Sequence, residues 1–327
     1  MKKVVVCGAG GFIGGHMVKR LLGEGCEVVA VDIRPFNEWD QVHEEALSEQ
    51  LFDLRHSKSV ESLVRSSQAD ELYQFAADMG GAGYIFTGDH DADVMHNSAI
   101  VNLNIAKAIA CYSPKTKVFY SSSACIYPSH NQEDPENPNC AEDSAYPANP
   151  DSEYGWEKLF SERMWRSFAR NYNLEVRIAR FHNIFGPEGT WDGGKEKAPA
   201  AMCRKVCMSD GEIEVWGPGN QTRSFLYIDE CIEAVLRLMD SDVEEIINIG
   251  SDEMISINGL AQMTAEISGK DIKILNIDGP VGVNGRNSDN ELIEKLLGWR
   301  PEEALVTGMK KTYNWIAEQV DETYNTP

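Results

Sequence analysis

Two hydrophobic rhythms alternate along the first 181 residues. Apolar runs too short for helices, KVVVCG (3–8), CEVVAVD (26–32), ELYQFAA (71–77), KVFYSSS (117–123) and EVRIARF (175–181), are separated by stretches with apolar positions at helical spacing, such as 12–23 and 152–172. Runs of this kind joined through helices predict an α/β protein on a doubly wound parallel sheet, because strands buried on both faces need helices to cover them. A further amphipathic stretch, YIDECIEAVLRLMD leading to IINIGS, predicts that 225–255 rejoins the sheet. The division that follows is a larger domain from 1–181 and 225–255 and a smaller mixed α/β substrate-binding domain from 182–224 and 256–327. The cleft between them is expected at the carboxyl ends of the strands.

The first strand–helix junction sharpens this. Gly8, Gly11 and Gly14 form G-x-x-G-x-x-G between the first strand and the helix beginning near Phe12, and the second strand ends on Asp32. Glycines there let the backbone turn and approach a pyrophosphate at the helix N-terminus, and the third lets helix and strand pack closely. A Rossmann unit is expected, with Gly8, Gly11, Phe12, Ile13 and Gly14 at the cofactor. Asp32 suits both ribose hydroxyls and repels a 2′-phosphate, which favours NAD over NADP, while Arg34 argues the other way. Asp53 suits an adenine-edge contact or, alternatively, an N-cap of the next helix.

Composition works mainly by exclusion. With 52 acidic against 30 basic side chains the formal net charge is −22, a field that repels nucleic acid and anionic membrane surfaces. Neither partner is expected, and an anionic small molecule needs a local pocket of positive charge. No apolar run approaches the roughly 20 residues of a membrane span, and MKKVVVCGAGG turns glycine-rich too soon for a secretory signal. The eight cysteines show neither a C-x-x-C pair nor a secreted framework, which predicts reduced thiols in the cytoplasm. Cys203 and Cys207 stand four apart without paired histidines or a second cysteine pair, so they read as core thiols and no metal is expected.

Candidate chemistry lies in SSSACIYP (121–128) and EYGWEK (153–158). Tyr154 and Lys158 are four apart, hence on one helical face, where an ammonium lowers a phenol from its usual pKa of about 10 and makes it a general base. Between 193 and 208, Lys195, Lys197, Arg204 and Lys205 face one acid, Glu196, against the overall sign of the chain. With Arg223 and Arg286 in loop-like segments, they are candidates for a diphosphate; solvated surface charge is the plain alternative for any one alone.

The glycine motif, the serine cluster and Y-x-x-x-K at this distance resemble the extended short-chain dehydrogenase/reductase family, with Ser123, Tyr154 and Lys158 in the places of its triad. The resemblance implies NAD and transient oxidation at C4 of a nucleotide sugar. In family members that expel water an acidic pair follows the serine or threonine; here Cys125 stands in the place of the base, implying proton chemistry beside the ketone. AADMGGAGYI (76–85), RFHNIFGPEGTWDGGKEKAPAAMCRK (180–205), QTRSF (221–225), IDECIEAVLRL (228–238), NIGSDEMIS (248–256) and GRNSDN (285–290) are similar to members acting on GDP-mannose. They imply epimerisation at C3 and C5 to GDP-L-galactose, with GDP-L-gulose as the C5-only product, and Cys125 and Lys197 as base and acid. By the same resemblance Gly80, Ser122, Ser123, Asn183 and Glu196 to Ala198 meet the hexose, and Gln221, Thr222 and Arg223 the nucleotide end. Lys205, Arg223 and Arg286 hold the diphosphate, and His182 is structural. The family dimerises through two helices, here near 94–111 and 153–171. The acidic stretch 129–151 is expected as an ordered loop beside the lid, with Cys140 incidental. Two rivals stay open: a 4-epimerase or 4,6-dehydratase for another nucleotide sugar, independent of Cys125 and Lys197, and a non-catalytic NAD-binding sensor, which would be expected to lack Tyr154 or Lys158.

Overall fold

Strands and helices alternate through the first half of the computed structural model, which describes residues 1–279 and 281–325. They are β1 (Lys3–Cys7), α1 (Phe12–Gly23), β2 (Glu27–Val31), β3 (Leu47–Glu49), α2 (Ser57–Ser67), β4 (Glu71–Gln74), the single turn α3 (Ala82–Ile85), α4 (Asp91–Tyr112), β5 (Lys117–Ser123), α5 (Glu153–Tyr172) and β6 (Val176–Phe181). Then follow β7 (Ile184–Phe185), α6 (Ala198–Met208), β8 (Glu212–Trp216), β9 (Thr222–Ser224), β10 (Leu226–Tyr227), α7 (Ile228–Asp240), β11 (Ile247–Ile249), β12 (Met254–Ser256), α8 (Ile257–Ser268), β13 (Lys273–Ile277), β14 (Gly285–Arg286), α9 (Glu291–Leu297) and α10 (Leu305–Val320). Pro280, Thr326 and Pro327, within the expected segment 256–327, lie outside the described residues.

Seven strands form one parallel sheet in the order β11-β6-β5-β4-β1-β2-β3. Alternation along β1 divides the core: Val4 and Val6 pack with α1 and α7, Val5 and Cys7 with α2, α4 and α5. The order reverses at β1, which opens a crevice at the carboxyl ends of β1 and β4. Gly14 lets α1 approach that crevice, because a Cβ there would stand 2.1 Å from the Gly8 carbonyl oxygen. The rest of the chain adds three small sheets, β10-β7, β12-β9-β14 and β13-β8, with α6, α8 and α10 continuing the α1–α7 core.

A buried polar network ties the ends of β5, β6 and β11 together. Arg180 grips Glu162 through two bonds of 3.0 Å and also donates to the Tyr127 hydroxyl and the Glu142 carbonyl. Asn248 Oδ1 accepts from Tyr127 at 2.6 Å and meets His182 at 3.0 Å. His182 is fully buried, and burial pushes its pKa down to about 3, so it is a neutral packing group. Segment 129–151 belongs to this network: Gln132 and Cys140 are buried, and the Asn248 amide donates to Glu142. It is an ordered loop, as the sequence suggested, and it packs against the ends of β5, β6 and β11.

Candidate active site

Strand β5 sends its three terminal serines to different destinations. The Ser121 hydroxyl donates to the Gln74 carbonyl at 3.1 Å. Ser122 is buried and donates to Glu162 at 2.6 Å, so of the neighbours Ser122 and Ser123 the former is a core group that does not present its hydroxyl to the cleft. Ser123 ends the strand, accepts from the Cys125 amide at 3.2 Å and hydrogen-bonds Tyr154.

Tyr154 and Lys158 share the buried face of α5, whose first turn is capped by Ser152 accepting from the Gly155 amide. The helix presses against the single turn 124–126: a Cβ on Gly155 would stand 2.2 Å from the Cys125 carbonyl oxygen. The Lys158 ammonium donates to the Ser121 carbonyl at 2.8 Å and lies 5.6 Å from the Tyr154 ring centroid. Ile85 and Val94 pack on Tyr154, with Tyr84, Phe86 and Cys125 around them. Within the protein, burial, reinforced by Cys125 and Glu157, pushes the phenol's pKa up against its bond to Ser123. Burial pushes Lys158 down against Glu157, Cys125 and Glu162. Desolvation of the phenolate, and not the lowering expected from Lys158, therefore dominates the phenol within the protein.

Cys125 and Lys197, 72 positions apart in the chain, come within electrostatic reach of each other. Cys125 is half-buried in the turn after β5. Lys197 is the N-cap residue of α6. The residue as a whole is exposed along the cleft, yet protein crowded around its ammonium pushes its pKa down, against Cys125 and Cys231. The Cys125 sulfur accepts from Arg286 Nη1 at 3.1 Å.

The other expected substrate residues separate by how much of each side chain is already engaged. Arg223 bonds only the carbonyls of Thr222, Val281 and Val283, with no carboxylate against it among the described residues, and burial lowers its pKa to about 10. A largely buried cation without a bonded counter-ion suits an anionic ligand. Gln221 leaves a buried Oε1 without a partner, while Thr222 donates to the Pro135 carbonyl. The Glu196 carboxylate is taken by Arg204 at 2.6 Å and the Gly194 amide at 2.7 Å, leaving its backbone rather than its charge for a sugar. Asn183, at φ +46°, donates to the Ser224 carbonyl. Gly80 lies under the Tyr84 side chain, and Ala198 opens α6. Lys205 lies two turns further along α6, about 12 Å down its axis from Lys197, and its ammonium donates to the Glu214 carbonyl.

The cofactor crevice fits a dinucleotide. Helix α1 starts at Gly11 with no side chain capping its first-turn amides, which leaves the backbone around Phe12 and Ile13 for a diphosphate. Asp32, buried beside it, accepts from the Gly10 and Arg34 amides. Arg34 folds back on the Gly10 carbonyl and lies 3.6 Å from Asp32, so its charge is partly engaged where the sequence left it open to a phosphate. Asp53 is held by Arg55, and α2 begins after His56, so Asp53 is not its N-cap. Cys203 is buried, Cys207 half-buried, and no metal-ligating cluster occurs among the described residues.

Two residues in contact with this site escaped the sequence reading. Asp151 and Gln132 both bind Arg286. Nothing marked them in the sequence, since each sits in the acidic, proline-broken stretch and its partner lies more than 130 residues away.

A dinucleotide crevice at the head of a doubly wound sheet, with Ser123, Tyr154 and Lys158 brought together by β5 and α5, marks the NAD-binding class of enzymes. The chain belongs to the NAD dependent epimerase/dehydratase family, whose model matches residues 4–250. It is similar to GDP-mannose 3,5-epimerase of Arabidopsis thaliana, 44% identical over 98% of this chain and 83% of the relative. It is also similar to GDP-mannose 3,5-epimerase 1 of Oryza sativa subsp. japonica, 43% identical over 98% and 82%. Among solved structures, UDP-glucose 4-epimerase of Thermotoga maritima shares the fold at a TM-score of 0.85 and 23% identity, covering 97% of this chain and 99% of that one. No helix among the described residues is long and apolar enough to cross a membrane.

Proposed function

We propose that this protein epimerises GDP-mannose at C3 and C5 to GDP-L-galactose, with GDP-L-gulose as the product of inversion at C5 alone. The observation that carries the reading is Cys125 packed beside Tyr154 and within electrostatic reach of Lys197, in a chain 44% identical to a GDP-mannose 3,5-epimerase. Bound NAD would supply a hydride acceptor for C4, and its cationic ring would oppose the desolvation that raises the Tyr154 phenol. Tyr154 takes the C4 hydroxyl proton as hydride leaves, and Lys158 holds the phenol's surroundings positive. The ketone acidifies the hydrogens at C5 and C3. Cys125 and Lys197 then remove and deliver protons at those carbons, and Tyr154 returns its proton when C4 is reduced again. Both amine and thiol work best with pKa values near the operating pH, and the downward push on Lys197 is in that direction. Arg223 and the free Gln221 Oε1 receive the nucleotide end, and segments 182–224 and 256–327 close over the sugar.

Turnover of GDP-mannose in deuterated water tests this: label is expected at C3 and C5. A C4 epimer with label at neither carbon refutes it.

The protein further acts as a homodimer. Leu103 on α4 and Trp156 and Phe160 on α5 are exposed, at 37%, 40% and 47%, on the outer faces of two helices packed side by side. Sedimentation should give twice the 36.4 kDa chain mass, and Phe160→Glu should return it to one. A monomer in the unsubstituted protein would end this proposal. Eight free cysteines favour the cytoplasm, which cell fractionation checks.

A further inference from the structure

Arg286, expected at the diphosphate, already makes three side-chain bonds within the protein. Its Nε donates to Gln132 Oε1 at 2.6 Å, Nη1 to the Cys125 sulfur at 3.1 Å and Nη2 to Asp151 Oδ2 at 2.8 Å. The Arg286 and Asp151 side chains are 6% and 8% exposed, so the pair is shielded from water and its geometry is held. Burial works against the guanidinium charge, but Cys125 and Asp151 together push its pKa up. The second Asp151 oxygen accepts from Ser152, the cap of α5, and Gly155 of the same turn packs against the Cys125 carbonyl. Cys125 is thus gripped at its backbone by the helix bearing Tyr154, and at its sulfur by an arginine anchored just before that helix.

We propose that Asp151, assisted by Gln132, is a positioning residue for proton transfer: it aims Arg286 at the Cys125 sulfur and keeps the thiol in register with Tyr154. The proposal rests on the role given above to Cys125. The register matters because the ketone made beside Tyr154 is the one whose neighbouring carbon Cys125 must reach, and small misplacements of a reacting group are costly. Among the described residues, Tyr154 and Lys158 on α5, Lys197, Arg223 and Arg286 are ionisable groups within electrostatic reach of Cys125. Asp151 is the carboxylate bonded to its arginine, so deleting it makes the surroundings more positive. Charge alone would then speed alkylation of the thiol, whereas loss of aim slows it.

The test uses the full-length, NAD-loaded protein with Asp151→Ala, Asp151→Asn and Gln132→Ala. Iodoacetamide labelling of Cys125 at pH 7 is followed by site-resolved mass spectrometry. With GDP-mannose, enzyme-bound NADH is read at 340 nm and C5 deuterium by NMR. Asp151→Ala and Gln132→Ala should each slow Cys125 labelling and C5 exchange about tenfold, the effect of losing one charge-assisted bond, while NADH forms at nearly the original rate. Asp151→Asn, which keeps an oxygen for Nη2, should restore most of the exchange. Unchanged or faster labelling overturns the proposal, as does a parallel loss of NADH and exchange in variants that melt normally. If Asp151→Ala does not fold, Gln132→Ala alone decides. If the unsubstituted protein exchanges nothing, the assigned function fails, while labelling still judges the clamp because it needs no sugar.

Discussion

Cys125→Ala is expected to oxidise GDP-mannose at C4 and then stall. NADH should accumulate on the enzyme, while deuterium incorporation at C5 falls by about 10²–10⁴-fold, the range for removing a general acid–base group. The separation follows from geometry. Tyr154, Lys158 and Ser123 are held by α5 and β5 through bonds that do not use the sulfur, so hydride transfer keeps its machinery. Arg286 keeps Asp151 and Gln132 as partners, so no buried charge is left wholly unpaired. Rapid mixing at 340 nm with NMR of recovered sugar measures both steps. C5 exchange at the original rate would remove Cys125 from the mechanism.

Tyr154→Phe should abolish the two steps together. The phenyl ring keeps the packing against Ile85 and Val94, and only the hydroxyl beside Ser123 is lost. Without it, nothing in this arrangement takes the C4 proton as hydride departs, so NADH formation should fall by about 10²–10⁴-fold. Exchange should fall in proportion, because no ketone forms to acidify C5. Normal NADH formation in a folded Tyr154→Phe protein would assign the base elsewhere. Substituting the two residues therefore tells hydride transfer from proton transfer: one variant loses both signals, the other only the second.

The large sheet was readable because its strands are long apolar runs with helical stretches between them, and each run reports burial from its own letters. The small sheets were not. β7, β9, β10, β12 and β14 are two or three residues long, and their pairing is decided by distant chain, as when Gly285 and Arg286 align with Thr222 and Arg223. Motif spacing likewise marked Gly8, Gly11 and Gly14 at one strand–helix junction and Tyr154 and Lys158 on one helical face, because each set lies within a few residues of chain.

Direction was harder to read than position. Ser122 and Ser123 are adjacent letters, yet strand alternation sends one to Glu162 and the other to Tyr154. Glu196 and Arg286 look like free charges in the sequence and are found bonded. The sequence alone determined the fold class and the NAD-binding strand–glycine–helix unit, because local periodicity and short-range spacing encode them. Only the tertiary structure decided which charges remain available for a ligand and which are spent on each other. Those pairings cross from 8 to 135 positions of chain, and a buried charge takes whichever partner the folded chain brings within bonding distance.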